Sequence, residues 1–319
     1  MEKVIDIINS RGDRPVFSFE VLPPLKGNSI YKVFDIIDRL REFEPQFVNI
    51  TSHHSEIIYR EQPDGSIRRE GVRRRPGTVA IAAAIRHKYG IIPVPHLICR
   101  GFTREETEYA LLDLNFLGIT NLLLLRGDDK GNMKQAYDPA LCNAHTTDLQ
   151  EQINRFNGGI GLDGTVIEGI ETPFTYGVAC YPEKHEEAPN MESDIRHLKM
   201  KVDAGAQYAI TQLFYDNSRY FEFVDRCREA GINVPILPGI KPITKKSQLA
   251  VLPRVFRADI PEPLARELEA ARDDSECVEI GIRWGIEQCR ELIAGGAPGI
   301  HFYTMLASHS VGEIAKQVF

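Results

Sequence analysis

The sequence predicts an α/β protein, a single-domain (β/α)8 TIM barrel running over residues 1–319. Three observations predict it. Short β-rich runs alternate with amphipathic helical stretches, and there are eight such runs. The runs are apolar at almost every position, the pattern of parallel strands covered on both faces by helices. Each run then breaks into polar residues at its C-terminal end, where a barrel of this kind builds its active site. Length alone would suit two domains of about 150 residues, but α/β barrels reach about 250 residues or more as one unit. An open doubly wound sheet is the alternative. The lack of a GxGxxG after the first strand counts against it.

Taken in order, PVFSFEV (15–21) is the first strand. SIYKVFDIIDRLREF (29–43) is a helix with Ile30, Val33, Phe34, Ile37 and Leu40 on one stripe. QFVNITS (46–52) is the second strand. Residues 53–77 form an inserted hairpin turning at Pro63-Asp64-Gly65. TVAIAAAIRHKYG (78–90) is a helix closed by glycine, and IIPVPHLI (91–98) the third strand. TREETEYALLDLNFLG (103–118) opens with a Thr103–Glu106 capping box and closes on Gly118. ITNLLLLRG (119–127) is the fourth strand. DLQEQINRF (148–156) is a helix, followed by a flexible glycine-rich loop at about 158–173. FTYGVACY (174–181), AQYAITQLF (206–214), VPILPGI (234–240) and PGIHFYTM (298–305) complete the strands. Helices 191–205 and 218–231 separate them, and two helical stretches fill 244–294.

Composition narrows the function. The net charge of −7 gives no footprint for a nucleic acid. No apolar run reaches the roughly 18 residues of a membrane span. Six cysteines form no CxxC pair, so they read as reduced thiols of a cytoplasmic protein. The histidines lack metal-ligand spacing, and no GxSxG, P-loop or HExxH is present.

The strand ends are Glu20; Thr51 with Ser52; His96; Arg126 with Asp128; Tyr181 with Glu183 and His185; Gln212; Lys241; and Tyr303 with Thr304. One polar strand end is unremarkable, since every strand must exit to water. Eight around one rim point to an active site. Glu20 could simply terminate a strand, yet an acid at the mouth of an apolar barrel is disfavoured as a charge, which suits a general acid. His96 could be a satisfied core histidine. Asp194, His197 and Lys201 share one face of the 191–205 helix. Most such faces are solvated, but this one borders the rim and could line a ribose or phosphate. The arginines of the hairpin (Arg68, Arg69, Arg73, Arg74 and Arg75) read first as a charged solvated edge, and second as a rim for an anionic ligand.

FSFEVLPP, ITS, PHLIC, LLLLRGDD, VACYPEKHEEAP, the DxxHxxxK helix with DAGA, ITQLFYD, ILPGIKP and HFYTM occur in that order. Together they resemble the catalytic barrel of the 5,10-methylenetetrahydrofolate reductases, in the short bacterial form, over residues 14 to 305. The resemblance implies non-covalent FAD, reduced by NADH or NADPH, that then reduces methylenetetrahydrofolate to its methyl form in a ping-pong sequence feeding methionine synthesis. It implies Glu20 as general acid and Asp128 as the aspartate beside flavin and pterin. Thr51, His96, Arg126, Gly127, Asp128, Thr146, Tyr181, His185, Asp194, His197 and Lys201 correspond to FAD contacts. Glu20, Asp128, Gln212 and Gln248 correspond to substrate contacts. Self-association is also implied. The alternatives are another flavin barrel, such as a proline-dehydrogenase-like enzyme, and a barrel that binds FAD without turnover.

Three positions depart from the family pattern. Leu252 stands where an aromatic residue stacks on ligand. Met305-Leu306-Ala307 replaces an Asn-Arg pair whose arginine meets the folate tail. The basic hairpin is an addition, and could replace that arginine or grip a nucleotide.

Overall fold

The computed structural model describes residues 2–12, 14–127, 139–305 and 307–319. Nine parallel strands form one sheet that curls into a nearly closed barrel. The strands in chain order are β1 (Val16–Val21), β2 (Phe47–Ile50), β3 (Glu56–Glu61), β4 (Ile67–Val72), β5 (Ile92–Ile98), β6 (Asn121–Leu125), β7 (Thr175–Cys180), β8 (Tyr208–Thr211), β9 (Ile236–Leu237), β10 (Gly239–Ile240) and β11 (Gly299–Tyr303). The barrel order is β10-β11-β1-β2-β5-β6-β7-β8-β9.

The predicted strand 234–240 is split into β9 and β10. Pro238 has no N–H to donate, so the ladder breaks there. The two halves then face different neighbours: Ile236 and Leu237 pair with Ala209 and Ile210, while Gly239 and Ile240 pair with His301 and Phe302. The Pro238 carbonyl accepts the His301 N–H at 2.9 Å, so this single broken strand bridges the two ends of the sheet. Gly239 is required by close approach: a Cβ there would lie 2.3 Å from the Thr211 carbonyl oxygen and 2.4 Å from the Tyr303 ring.

The helices are α1 (Val4–Ser10), α2 (Tyr31–Leu40), α3 (Thr78–Tyr89), α4 (Arg104–Phe116), α5 (Thr146–Asn157), α6 (Met191–Asp203), α7 (Asn217–Glu229), α8 (Gln248–Phe256), α9 (Glu262–Ala270), α10 (Asp274–Ala294) and α11 (Ser308–Val318). The Thr103 capping box forms with both arms, at 3.0 and 2.9 Å. Between 244 and 294 there are three helices where two helical stretches are expected. The chain turns left-handed at Arg257, restarts after Pro261, and restarts again at Asp273, whose side chain caps α10. α1 has no counterpart in the sequence reading. It plugs the lower mouth of the barrel: Val4 and Ile8 pack on Val16, Phe47, Val94 and Leu123, and the Val4 N–H donates to Asn121 Oδ1 at 2.9 Å.

β3 and β4 form a separate antiparallel hairpin, with Glu56 opposite Val72 and Glu61 opposite Ile67. Arg60, Arg68, Arg73, Arg74 and Arg75 have local partners. Arg60 and Arg68 meet Glu70, Arg74 meets Glu56, and Arg73 meets Glu106 on α4. Arg75 donates to the Pro23 carbonyl, tying the insertion to the loop after β1. The glycine-rich loop carries an isolated bridge between Ile160 and Val166. All six cysteines are buried and free. Among the described residues, no helix is long and apolar enough to cross a membrane.

Candidate active site

Alternation along the strands sorts side chains between lumen and helical shell. Val16 belongs to the inner cluster, whereas Phe17, Phe19 and Val21 belong to the outer one. Ser18 and Glu20 therefore share the inner face with Val16. The same parity places Asn49 above Phe47, His96 above Val94, and Tyr303 above His301. The lumen is thus layered, with an apolar floor, a polar middle and a charged rim.

The middle layer is almost sealed: Ser18, Asn49, His96 and His301 are at most 3% exposed. Ser18 Oγ and His301 Nδ1 are 2.9 Å apart, and the His301 ring stacks on Phe47 and meets Tyr303 edge-on. Burial pushes both imidazoles down to about 3, with His53 adding to the effect on His96 and His96 to that on His301. Both are neutral near pH 7. His96 Nε2, His301 Nε2 and both side-chain atoms of Asn49 make no hydrogen bond within the protein. Buried polar atoms are rarely left so, and these suit a polar molecule seated above them.

The rim divides into two arcs. Toward β6 and β7 lie the positions expected to meet a cofactor. Arg126 follows β6 and pairs with Glu187, which also meets Arg100 at 3.3 Å. Burial opposes the Glu187 carboxylate, but Arg126 prevails and holds it below its usual range. Gly127 has φ +87°, a conformation that favours glycine. Tyr181 packs edge-on against His185, with ring centres 4.7 Å apart. The His185 N–H donates to Asp194 Oδ2 at 2.8 Å, which joins this loop to α6. Burial lowers His185, and Asp194 opposes that shift. Lys201 donates to the Ala179 carbonyl at 3.3 Å; burial lowers its ammonium and Asp194 again opposes. His197 is exposed on the same helix. Thr146 is buried at the start of α5. Thr51 lies after β2, 3.1 Å from His53 Nε2.

The second arc holds Glu20, Tyr303, Lys241 and Gln212. The Gln212 side-chain oxygen accepts the Leu213 N–H at 2.9 Å. Gln248 stands further out: its side-chain oxygen accepts the N–H groups of Thr244 and Lys245, closing the turn into α8. Leu252, at the expected stacking position, is packed into the core beside Leu213 and Tyr215. Asp128 and Leu306 lie outside the described residues. Glu183 accepts the Asp259 N–H at 3.1 Å, and burial raises its carboxyl to about 7. Three residues enter the geometry without a role from sequence. Asn49 and His301 sit mid-strand, where nothing but parity separates them from core. Lys241 is visible as a strand end, but its neighbours become known only from the register. Among the described residues no three metal-ligating side chains cluster.

Comparison with known proteins supplies a family. A family model described as "Methylenetetrahydrofolate reductase" matches residues 4–318. The chain is 31% identical to "5,10-methylenetetrahydrofolate reductase" of Escherichia coli (strain K12), over 90% of this chain and 85% of that one. It is 30% identical to "Methylenetetrahydrofolate reductase (NADH) 1" of Arabidopsis thaliana over 95% of this chain, and spans 48% of that longer relative. Among solved structures, an uncharacterised protein from Clostridium thermocellum that binds two copies of 5-methyl-5,6,7,8-tetrahydrofolic acid aligns with a TM-score of 0.58 over 98% of both chains. At 14% identity that likeness concerns the fold.

Proposed function

The chain belongs to the methylenetetrahydrofolate reductase family, and on that premise we propose that it reduces 5,10-methylenetetrahydrofolate to 5-methyltetrahydrofolate. The reading includes FAD as resident cofactor, NADH or NADPH as reductant in a ping-pong sequence, and a supply of methyl groups for methionine synthesis. It also includes a cytoplasmic homo-oligomer. The observation that carries it is the division of the rim: an acid faces the lumen from β1, opposite an arc of cations and hydrogen-bonding groups at β6, β7 and α6.

That arc suits a flavin. Arg126 Nε is buried without a partner, as are Asn49 and His96 Nε2 in the layer below. A planar ring system rich in donors and acceptors, carrying a diphosphate, can use all of them. Arg126 and Lys201 would meet the anionic tail, with Thr51, Gly127, Thr146, Tyr181, His185, Asp194 and His197 around the rest. FAD, when bound, supplies the hydride-carrying chemistry.

The protein's own part is positioning and proton transfer. Opening the five-membered ring of the substrate breaks a C–N bond and leaves the electron pair on nitrogen. Glu20 is assigned the proton that this nitrogen takes up. Asp128, just beyond Gly127, is assigned the fixed negative charge that favours the cationic carbon. Gln212 commits its side-chain oxygen to Leu213, which leaves its NH2 to hold the ligand. Gln248 is assigned a folate contact. The test is nicotinamide oxidation by the FAD-loaded protein. The reading expects oxidation that depends on methylenetetrahydrofolate; oxidation indifferent to the folate would refute it.

A further inference from the structure

Lys241 is a lysine buried to 4% exposure at the end of β10. The strand register fixes its neighbours. β10 pairs with β11 through Gly239–His301 and Ile240–Phe302, which brings Lys241 level with Tyr303. β1 pairs with β11 through Glu20–Tyr303. Glu20, Tyr303 and Lys241 therefore stand at one height on three adjacent strands, on the lumen face. We propose that Lys241 is a positioning residue that acts through Glu20: the two form one acid with a single transferable proton, stored on Lys241 and delivered by Glu20. This rests on the folate reductase reading above and identifies where its proton comes from.

The chemistry explains why such a pair is useful. An ordinary carboxyl group ionises well below neutral pH, and a general acid that has lost its proton is spent. An ammonium–carboxylate pair and an amine–carboxylic acid pair hold the same number of protons. The Lys241 ammonium passes its proton to the Glu20 carboxylate, and Glu20 delivers that proton to the departing ring nitrogen as the C–N bond breaks. Solvent then reprotonates the amine. Burial lowers the Lys241 ammonium toward the range where it can give up a proton, while the Glu20 carboxylate opposes that shift. Neighbouring groups are committed elsewhere. The Tyr303 hydroxyl donates to the Thr211 carbonyl, and the Tyr215 hydroxyl donates to the carbonyl of Lys241 itself. His301 is neutral, and Gln212 has no charge. Asp128 lies outside the described residues.

Two measurements on the FAD-loaded enzyme test the inference. In protein labelled with 13C at lysine Cε, the signal absent from Lys241→Met reports Lys241. Glu20→Gln should move its titration to lower pH by about one unit or more, because the opposing carboxylate is gone. No movement overturns the pairing, whatever the enzyme's activity. Second, stopped-flow reoxidation of the reduced flavin by methylenetetrahydrofolate is followed against pH. In Lys241→Met the alkaline limb should fall about one unit or more below that of the wild type, giving a step slowed about tenfold or more at pH 9. Lys241→Arg keeps the charge but cannot release a proton, and should be slowed about tenfold or more across the range. A Lys241→Met limb that stays in place or moves upward overturns the proton store, as does an Arg variant with wild-type rates. Flavin absorbance and reduction by nicotinamide check that each variant is folded. A wild type that is not reoxidised by the folate refutes the functional reading and leaves the lysine titration to decide the pair.

Discussion

Replacing His301 with asparagine should remove a defined share of the protein's sensitivity to acid. His301 is 1% exposed and burial holds its imidazole at about 3. In the unfolded chain it titrates near 6.5. The folded pKa lies below the unfolded one, so the unfolded state binds the extra proton first as pH falls. Stability is whole above about pH 6.5 and declines below it, by about 1.4 kcal/mol per pH unit per histidine. Integrated from pH 7.5 to 5.0, one such histidine costs about 2 kcal/mol. His96, held at about 3 for the same reason, doubles that sum. Urea unfolding of both proteins at the two pH values, at constant FAD, gives the four free energies required. Groups common to both proteins cancel in the double difference. His301→Asn should lose about 2 kcal/mol less than wild type over this interval. Equal losses would show that His301 takes up its proton within the fold, and would refute the sealed middle layer.

Two further outcomes follow from close contacts. Gly239→Ala would drive a methyl group into the Thr211 carbonyl and the Tyr303 ring; thermal unfolding should show a loss of about 1–3 kcal/mol or more, and an unchanged midpoint would contradict the packing. Lys201→Met removes a cation from the proposed flavin arc. The dissociation constant for FAD, followed by flavin fluorescence, should rise about tenfold or more, as expected for a lost charged hydrogen bond; an unchanged constant would remove Lys201 from the cofactor site.

Much of the barrel is legible in the sequence because both-face burial writes itself as unbroken apolar runs. Leu122 and Leu124 face the shell while Leu123 faces the lumen, and all three must be apolar. The capping box at Thr103 is equally local, and it forms as read. What escapes is non-local. α1 has seven residues and two buried side chains, too short for a periodic signal, yet it closes the barrel floor. The break at Pro238 matters because the two halves of that strand serve different partners, which a linear reading does not contain. The rim residues could be listed from strand ends, but not their division into two arcs. Leu252 shows the converse: a position expected to face ligand is packed in the core. Arg68, Arg73, Arg74 and Arg75, legible as part of a charge run, are held by Glu70, Glu106, Glu56 and the Pro23 carbonyl. Exposed pairs of this kind contribute about 0–1 kcal/mol each, so they order the insertion more than they stabilise it.

Glu20 is assigned to the folate half of the proposed two-step hydride relay. The most direct measurement follows the flavin in separate half-reactions, comparing wild type with Glu20→Gln. Reduction by nicotinamide should proceed in both. Reoxidation by methylenetetrahydrofolate should be fast in wild type and slower by about 100-fold or more in the variant, the scale of a lost general acid. A Glu20→Gln enzyme that reoxidises at the wild-type rate, or one equally impaired in both halves, would contradict the account.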